Sequence, residues 1–326
     1  MKKVETKPYI GQHCESTATG TLLKQLNIEL SEPMLFGLGE GLSFIFWNMK
    51  TMDFPFIGGR IKTDLLTQNI TKHLGLKLTV KETSSTSKAW NSAKELIDDN
   101  KAVGIKLDCY YLEYFSNPIH FAGHYVAMLG YDDEKAYLVD TDQQGSEVTT
   151  SLESLAAARN EKGPMSSRNL YYTIEKKGDI TPLKDAVIVA IRSNVESYLN
   201  PPIKNLNYKG IEKTSVEIIK WFDSSKNVKE EFATSAMIME RAGTGGAIFR
   251  NFYRDFLIEA YDLTKIKIIN DAHDAFVDIA SQWSEVIALF EEVSKTGERK
   301  FVLQASEKLK KLAVNEKKAV EILLKI

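Results

Sequence analysis

At 326 residues and 43% hydrophobic content, the chain has room for two domains with ordinary cores. Its formal net charge of −2, from 42 basic and 44 acidic residues with no basic stripe, excludes nucleic acid and anionic membrane as expected partners. "MKKVETKPYI" lacks a signal peptide's apolar core, no later run nears the roughly 18 apolar residues of a membrane span, and two cysteines cannot build a disulfide framework, so a reducing, cytoplasmic setting is expected.

In chain order, the first half alternates elements. After Cys14, residues Ala18, Leu22, Leu23 and Leu26 share one helical face. "SEPMLFGLGEGLSFIFW" opens on a Ser N-cap signal and breaks at Gly37, Gly39 and Gly41. A helix from Asp64 to His73 is stopped by Gly75, and the alternating "LKLTV" follows as a strand. "STSKAWNSAKELIDDN" reads as a helix and "AVGIKLDCYYL" as a strand. "HYVAMLGY" and "AYLVD" flank "DDEK" as a hairpin. Thr150 with Glu153 forms a capping box before "LESLAAAR", and "NLYYTIEK" is a further strand. Past residue 180 the pattern is helical throughout: 182–198, with Thr181–Pro182 as its start signal, then 211–222, 228–241, 246–261, 266–294 and 298–325. The chain divides into an α+β domain, 1–180, and an all-helical domain, 181–326.

Cys14 sits where a nucleophilic thiol belongs. Free N–H groups and the positive end of the dipole at a helix N-terminus favour thiolate, and the same N–H groups can hold an oxyanion. The competing reading is a small core cysteine that starts a helix. Among five histidines, His73 reads as a helix C-cap, His273 as a surface or interhelix residue, and His13 as too close to Cys14 in sequence to aim at its sulfur. His120 and His124 remain. Their spacing would ligate zinc only from a helix, and "HYVAMLGY" reads as a strand, so no metal site is expected.

His124 opens the hairpin and is the favoured base. A three-residue loop, Asp132–Glu134, pairs Tyr131 with Lys135. That register sets His124 opposite Asp142, with Asp140 as its diagonal neighbour on the same face, roughly 7–8 Å away. A four-residue loop turns both aspartates to the other face. Asp140 is the first choice to orient the imidazole and Asp142 the reserve; turn chemistry in "DTDQQG" is the alternative for either.

Cysteine at an N-terminal helix, histidine opening a late strand and aspartate on the next strand resemble the order of papain-like cysteine enzymes, including the bacteriocin-processing peptidases. More specifically, "GQHCESTATGTLL", "SEPMLFGLGEGLSF", "GGR" at 58–60, "DCYYLEY" and "HFAGHYVAMLGYD" resemble the N-terminal domain of butirosin biosynthesis protein H. "ERAGTGGAIFRNFYRDFLIEA" resembles the domain of unknown function that commonly follows it. The resemblance implies a papain-like α+β domain followed by an all-α domain. It also implies acyl transfer from an acyl carrier protein, or a small-molecule thioester, to an amine-bearing small molecule. Cys14 would then be the nucleophile, His124 the base and Asp140 its orienting partner, with no tightly bound cofactor and phosphopantetheine presented by the carrier. A peptidase or amidase, or a non-catalytic binding protein on the same fold, stays open, as does a homodimer. Papain-like enzymes place an oxyanion glutamine several residues before the cysteine. Here the sixth residue back is Pro8, so Gln12 is the nearby candidate.

Other motifs carry two readings each. "GLGEGL" is a plain turn or a lid, with Glu40 meeting a substrate amine. Arg60 is expected to form an ion pair closing the cleft. Tyr110, with Tyr111 and Tyr114, lines a substrate pocket or the core. "GTGG" at 243–246 is an interhelical turn or a phosphate cradle assisted by Arg250 and Arg254.

Overall fold

The computed structural model describes residues 1–50, 52–163 and 165–326. The chain opens with β1 (Lys2–Lys3), α1 (Cys14–Gln25) and α2 (Glu32–Leu38), then the strands β2 (Leu42–Trp47) and β3 (Phe56–Arg60). Next come α3 (Leu65–His73), β4 (Lys77–Lys81), α4 (Thr86–Asp98), β5 (Val103–Leu107), β6 (His124–Tyr131), β7 (Lys135–Val139), β8 (Glu147–Ser151), α5 (Leu152–Arg159) and β9 (Tyr171–Glu175). Six helices finish the chain: α6 (Leu183–Leu199), α7 (Asn207–Ser224), α8 (Val228–Arg241), α9 (Arg250–Thr264), α10 (Lys267–Thr296) and α11 (Arg299–Ile322). Among the described residues, no helix is long and apolar enough to cross a membrane.

Two compact units form: Met1–Leu35 with Thr63–Thr181, and Phe36–Lys62 with Pro182–Ile326. The first is built on an antiparallel sheet in the order β4-β9-β5-β6-β7-β8, with β1 pairing the far end of β6. Every residue of β5 and all but the last of β6 are buried, which fits their near-continuous apolar sequences. Helix α1 packs against β5 and β6.

The hairpin settles the register by a route that neither simple loop length provides. Tyr131 pairs with Ala136, so the loop has the four-residue form. Farther along, the pairs are Gly130–Tyr137 and Met128–Leu138, leaving Leu129 as an extra residue on β6. This bulge shifts the pairing by one and restores the parity that a three-residue loop would have given. Asp140 and His124 therefore share a face.

The second unit holds the hairpin of β2 and β3, which the sequence reading does not contain, together with the helices. Side-chain chemistry explains why residues 36–62 belong there. Phe36 stacks on Phe249 with centroids 5.6 Å apart, and Phe44 stacks on Trp283 at 5.5 Å. The Asn194 amide donates to the Leu42 carbonyl at 2.9 Å, and Asn207 accepts from Ser43 Oγ at 2.8 Å. Glu40, read as meeting a substrate amine, and Arg60, read as an ion pair closing the cleft, thus lie in the helical unit.

Several local expectations are corrected. The cap of α5 is Ser151, which accepts from Ser154 N; the Thr150 hydroxyl bonds Glu113 and Ser154 instead. Pro182 itself is the N-cap of α6, while Thr181 donates its backbone N–H to Leu74. The "GLGEGL" segment is a buried turn: a side chain at Gly37 would collide with the Phe256 ring, and one at Gly41 with Phe36. Glu40 is buried there at φ 53.

The phosphate reading of "GTGG" fails. Gly245 and Gly246 take φ 65 and 82, and Ala247, Ile248 and Phe249 continue at 47, 49 and 71 as a left-handed turn, so α9 begins at Arg250 and not at 246. The N–H groups of that turn are already engaged, Gly246 with Thr244 Oγ1 and Ala247 with Glu240. Arg250 is fully buried against Glu316, and Arg254 pairs with Asp255 and Asn251. Neither guanidinium is free for a phosphate.

Candidate active site

Helix α1 begins at Cys14 itself, because His13 is its N-cap and accepts from Ser16 N through Nδ1 at 3.4 Å. The turn that feeds this helix is held by Glu32, the first residue of α2. Its carboxylate takes Gln12 N at 2.8 Å, His13 N at 2.9 Å and Ser16 Oγ at 2.5 Å. Burial pushes the Glu32 carboxyl up, and those three donors partly offset that shift. From the other side, Asp142 N donates to the Gly11 carbonyl at 2.8 Å, fixing the end of β7 beside the same turn.

His124 lies at the start of β6, 7% exposed. Its Nε2 sits 2.8 and 3.0 Å from the two oxygens of Asp140, which is fully buried just beyond β7. A carboxylate only accepts, so Nε2 carries the hydrogen and Nδ1 is left for the other partner. Cys14 is the other group whose charge acts on the ring. Asp140 also accepts from the Tyr114 hydroxyl at 2.8 Å and from Thr141 N at 2.6 Å, so its position is fixed from three directions. Phe115 meets the imidazole edge-on, with centroids 5.4 Å apart. Tyr114 and Phe115 belong to the loop joining β5 to β6; burial first, then the Asp140 charge, raises the Tyr114 hydroxyl well above the usual phenol range.

Burial alone would push the His124 ring down, but the charges of Asp140 and Cys14 and its hydrogen bonds to both raise it well above the ordinary value. Because the folded value exceeds the unfolded one, near 6.5, the imidazolium's contribution to stability is fully present below about pH 6.5. It is lost as pH rises through the raised value. Asp140→Asn removes the largest raising influence, so the titration of His124, followed by NMR of its ring protons, is expected to move down in pH. An unchanged midpoint would show that Asp140 does not govern the ring.

The structure thus brings together Cys14, His124 and Asp140, all in the first unit. Gln12 is exposed, two residues before the thiol, with its backbone N–H committed to Glu32. Asp142 is exposed in the turn after β7, where it accepts weakly from Ser146 Oγ at 3.4 Å. Tyr110 is 44% exposed in the β5–β6 loop and stacks on His120. Arg60 donates to the Ile61 carbonyl at 3.0 Å in the helical unit. Glu32 and Tyr114 were not singled out by sequence as holding the site. The acidic residue 18 positions beyond Cys14 carries no local signal, and Tyr114 is one of three tyrosines within five residues.

A thiol at a helix N-terminus, an imidazole opening a strand of the antiparallel sheet and a carboxylate following the next strand define a papain-like α+β domain, here joined to a mainly helical unit that also carries the β2–β3 hairpin. Family models extend this: residues 13–141 match "Butirosin biosynthesis protein H, N-terminal", and residues 153–323 match "Domain of unknown function (DUF4872)". The chain belongs to the family in which these two domains follow one another. The second match begins within α5 and so takes in β9 as well as the helices. Among solved structures, a protein described as a C39-like peptidase from Bacillus anthracis is similar at 16% identity and TM-score 0.37, covering 55% of this chain and 100% of that one. No curated protein matches the chain.

Proposed function

We propose that this protein is a cysteine acyltransferase that moves an acyl or aminoacyl group from a carrier-protein thioester to an amine. The observation that carries this reading is the His124 ring, joined on one side to Asp140 and on the other to Cys14. The Cys14 thiolate attacks the thioester carbonyl, forming a new C–S bond. The carrier's thiol leaves as its C–S bond breaks, taking a proton from the His124 imidazolium. The acceptor amine then attacks the acyl-enzyme, giving its proton to His124 as the amide forms and the Cys14 sulfur departs. The Cys14 N–H at the first position of α1, with the Gln12 side-chain amide, supplies the oxyanion donors. The phosphopantetheine arm arrives as part of the substrate.

Cys14 and His124 are 8% and 7% exposed, and exclusion of water supports transfer over hydrolysis. A cysteine peptidase or amidase would use the same three residues. The test is intact-mass analysis after incubation with a loaded acyl carrier protein. One acyl mass on Cys14, discharged by an added amine, is the expected result. Peptide cleavage without a carrier, and no adduct with one, would replace this reading with the peptidase.

A further inference from the structure

We propose that the first unit carries a second site, for a divalent transition-metal ion, built from Asp108, His120 and Glu161. None of the three takes part in the chemistry above. They come from separate stretches: Asp108 directly follows β5, His120 lies four residues before β6, and Glu161 lies two residues beyond α5. One donor atom from each falls within 4.8 Å of the others, and His120 Nδ1 is 3.2 Å from Asp108 Oδ2.

The surrounding contacts aim these donors. Asp108 Oδ1 takes Tyr110 N at 2.9 Å and Phe121 N at 3.0 Å, leaving Oδ2 toward His120. Glu161 Oε2 takes the Tyr111 hydroxyl at 2.5 Å. The His120 ring lies almost flat on Tyr110, with centroids 3.9 Å apart. Partners of this kind fix ligand orientation at metal centres.

Charge points to a cation independently of the spacing. Asp108 is 2% exposed, and among the described residues neither it nor Glu161 is paired with a lysine or arginine. Two carboxylates converge on one imidazole, and a divalent cation would balance the charge that His120 alone leaves over. The imidazole donor favours zinc, cobalt or nickel over magnesium or calcium. Three protein ligands leave a position for water, and the His120 side chain, 58% exposed, provides an entry path. The sequence reading excluded a metal on the His120–His124 spacing; this ligand set leaves His124 to Asp140. An ion here would tie both ends of the β5–β6 loop to the end of α5. That loop carries the Tyr114 and Phe115 contacts to Asp140 and His124.

The test uses the full chain with Cys14→Ala, so that the thiol–imidazole pair cannot take up metal, stripped of ions and titrated with Co²⁺ and then Zn²⁺. One equivalent of Co²⁺ with visible d–d bands and no thiolate charge-transfer band is expected, displaced by one equivalent of Zn²⁺. His120→Ala and Glu161→Gln should each weaken binding by more than the roughly 10–100-fold that loss of an outer-shell partner costs. Circular dichroism checks that these partly exposed positions leave the fold intact. Failure to bind Co²⁺, binding that survives both changes, or a thiolate band assigning Cys109 to the ion would each overturn the proposal.

Discussion

A chain carrying Cys14→Ala, mixed with a loaded acyl-carrier thioester and an amine, is expected to gain no acyl mass and to lose turnover by about 10³- to 10⁶-fold. The size of the loss follows from the absence of a substitute. The chain has one other cysteine, Cys109, and its surroundings make it inert. It is 3% exposed, its thiol donates to the Ile119 carbonyl at 3.3 Å, and burial pushes it up to about 11. At neutral pH almost none of it is thiolate. Cys14 stands instead at the first position of a helix, beside the His124 imidazole. The wild-type protein should therefore be alkylated at Cys14 well before Cys109, with mass spectrometry of peptides as the readout. An acyl adduct that persists in Cys14→Ala would remove this sulfur from the mechanism.

The largest expected effect on stability falls in the helical unit. Glu316 and Arg250 are both fully buried, with Arg250 Nη2 2.6 Å and Nε 3.2 Å from the two carboxylate oxygens. Tyr198 OH and Trp283 Nε1 also donate to Glu316, at 2.6 and 2.8 Å. Arg250 reaches the Gly59 and Ile248 carbonyls at 2.8 and 2.9 Å, and its guanidinium lies 5.2 Å from the Trp283 ring. Glu316→Gln keeps the shape but leaves a buried guanidinium without a counter-ion, which costs about 3–5 kcal/mol. In a unit of this size that is a Tm drop of roughly 6–20 °C, measured by thermal or urea unfolding of the full chain. Replacing both partners, Arg250→Met with Glu316→Leu, should recover part of the loss. Recovery stays partial because Tyr198 and Trp283 still lose their acceptor. A Glu316→Gln loss under about 1 kcal/mol would show that water reaches the pair.

Legibility in the sequence followed the range of the interaction. Helices α8, α10 and α11 were readable to within a few residues, because a 3.6-residue apolar period and its stop signals are local. The start of α9 was not, since the left-handed turn at 247–249 uses three residues that ordinarily avoid positive φ. The turn is tied to distant chain through Arg250, which donates both to the Ile248 carbonyl within it and to the Gly59 carbonyl. The β2–β3 hairpin was hidden for a similar reason: "LSFIFW" is apolar at nearly every position, so it shows no period of two.

By itself the sequence determined which reactive residue types stand at which local positions: a thiol in a polar run before an amphipathic helix, a histidine opening a strand, and two aspartates after the next one. These are properties of residue type and short spacing. Only the tertiary structure decided which aspartate meets the imidazole, because one extra residue at Leu129 offsets a four-residue loop and a shift of one reverses every side chain on a strand. It alone decided that Glu32 clamps the turn before Cys14, and that Arg250 is sealed against Glu316 instead of facing a phosphate. Burial and charge pairing belong to groups brought together from far along the chain, and no local pattern encodes them.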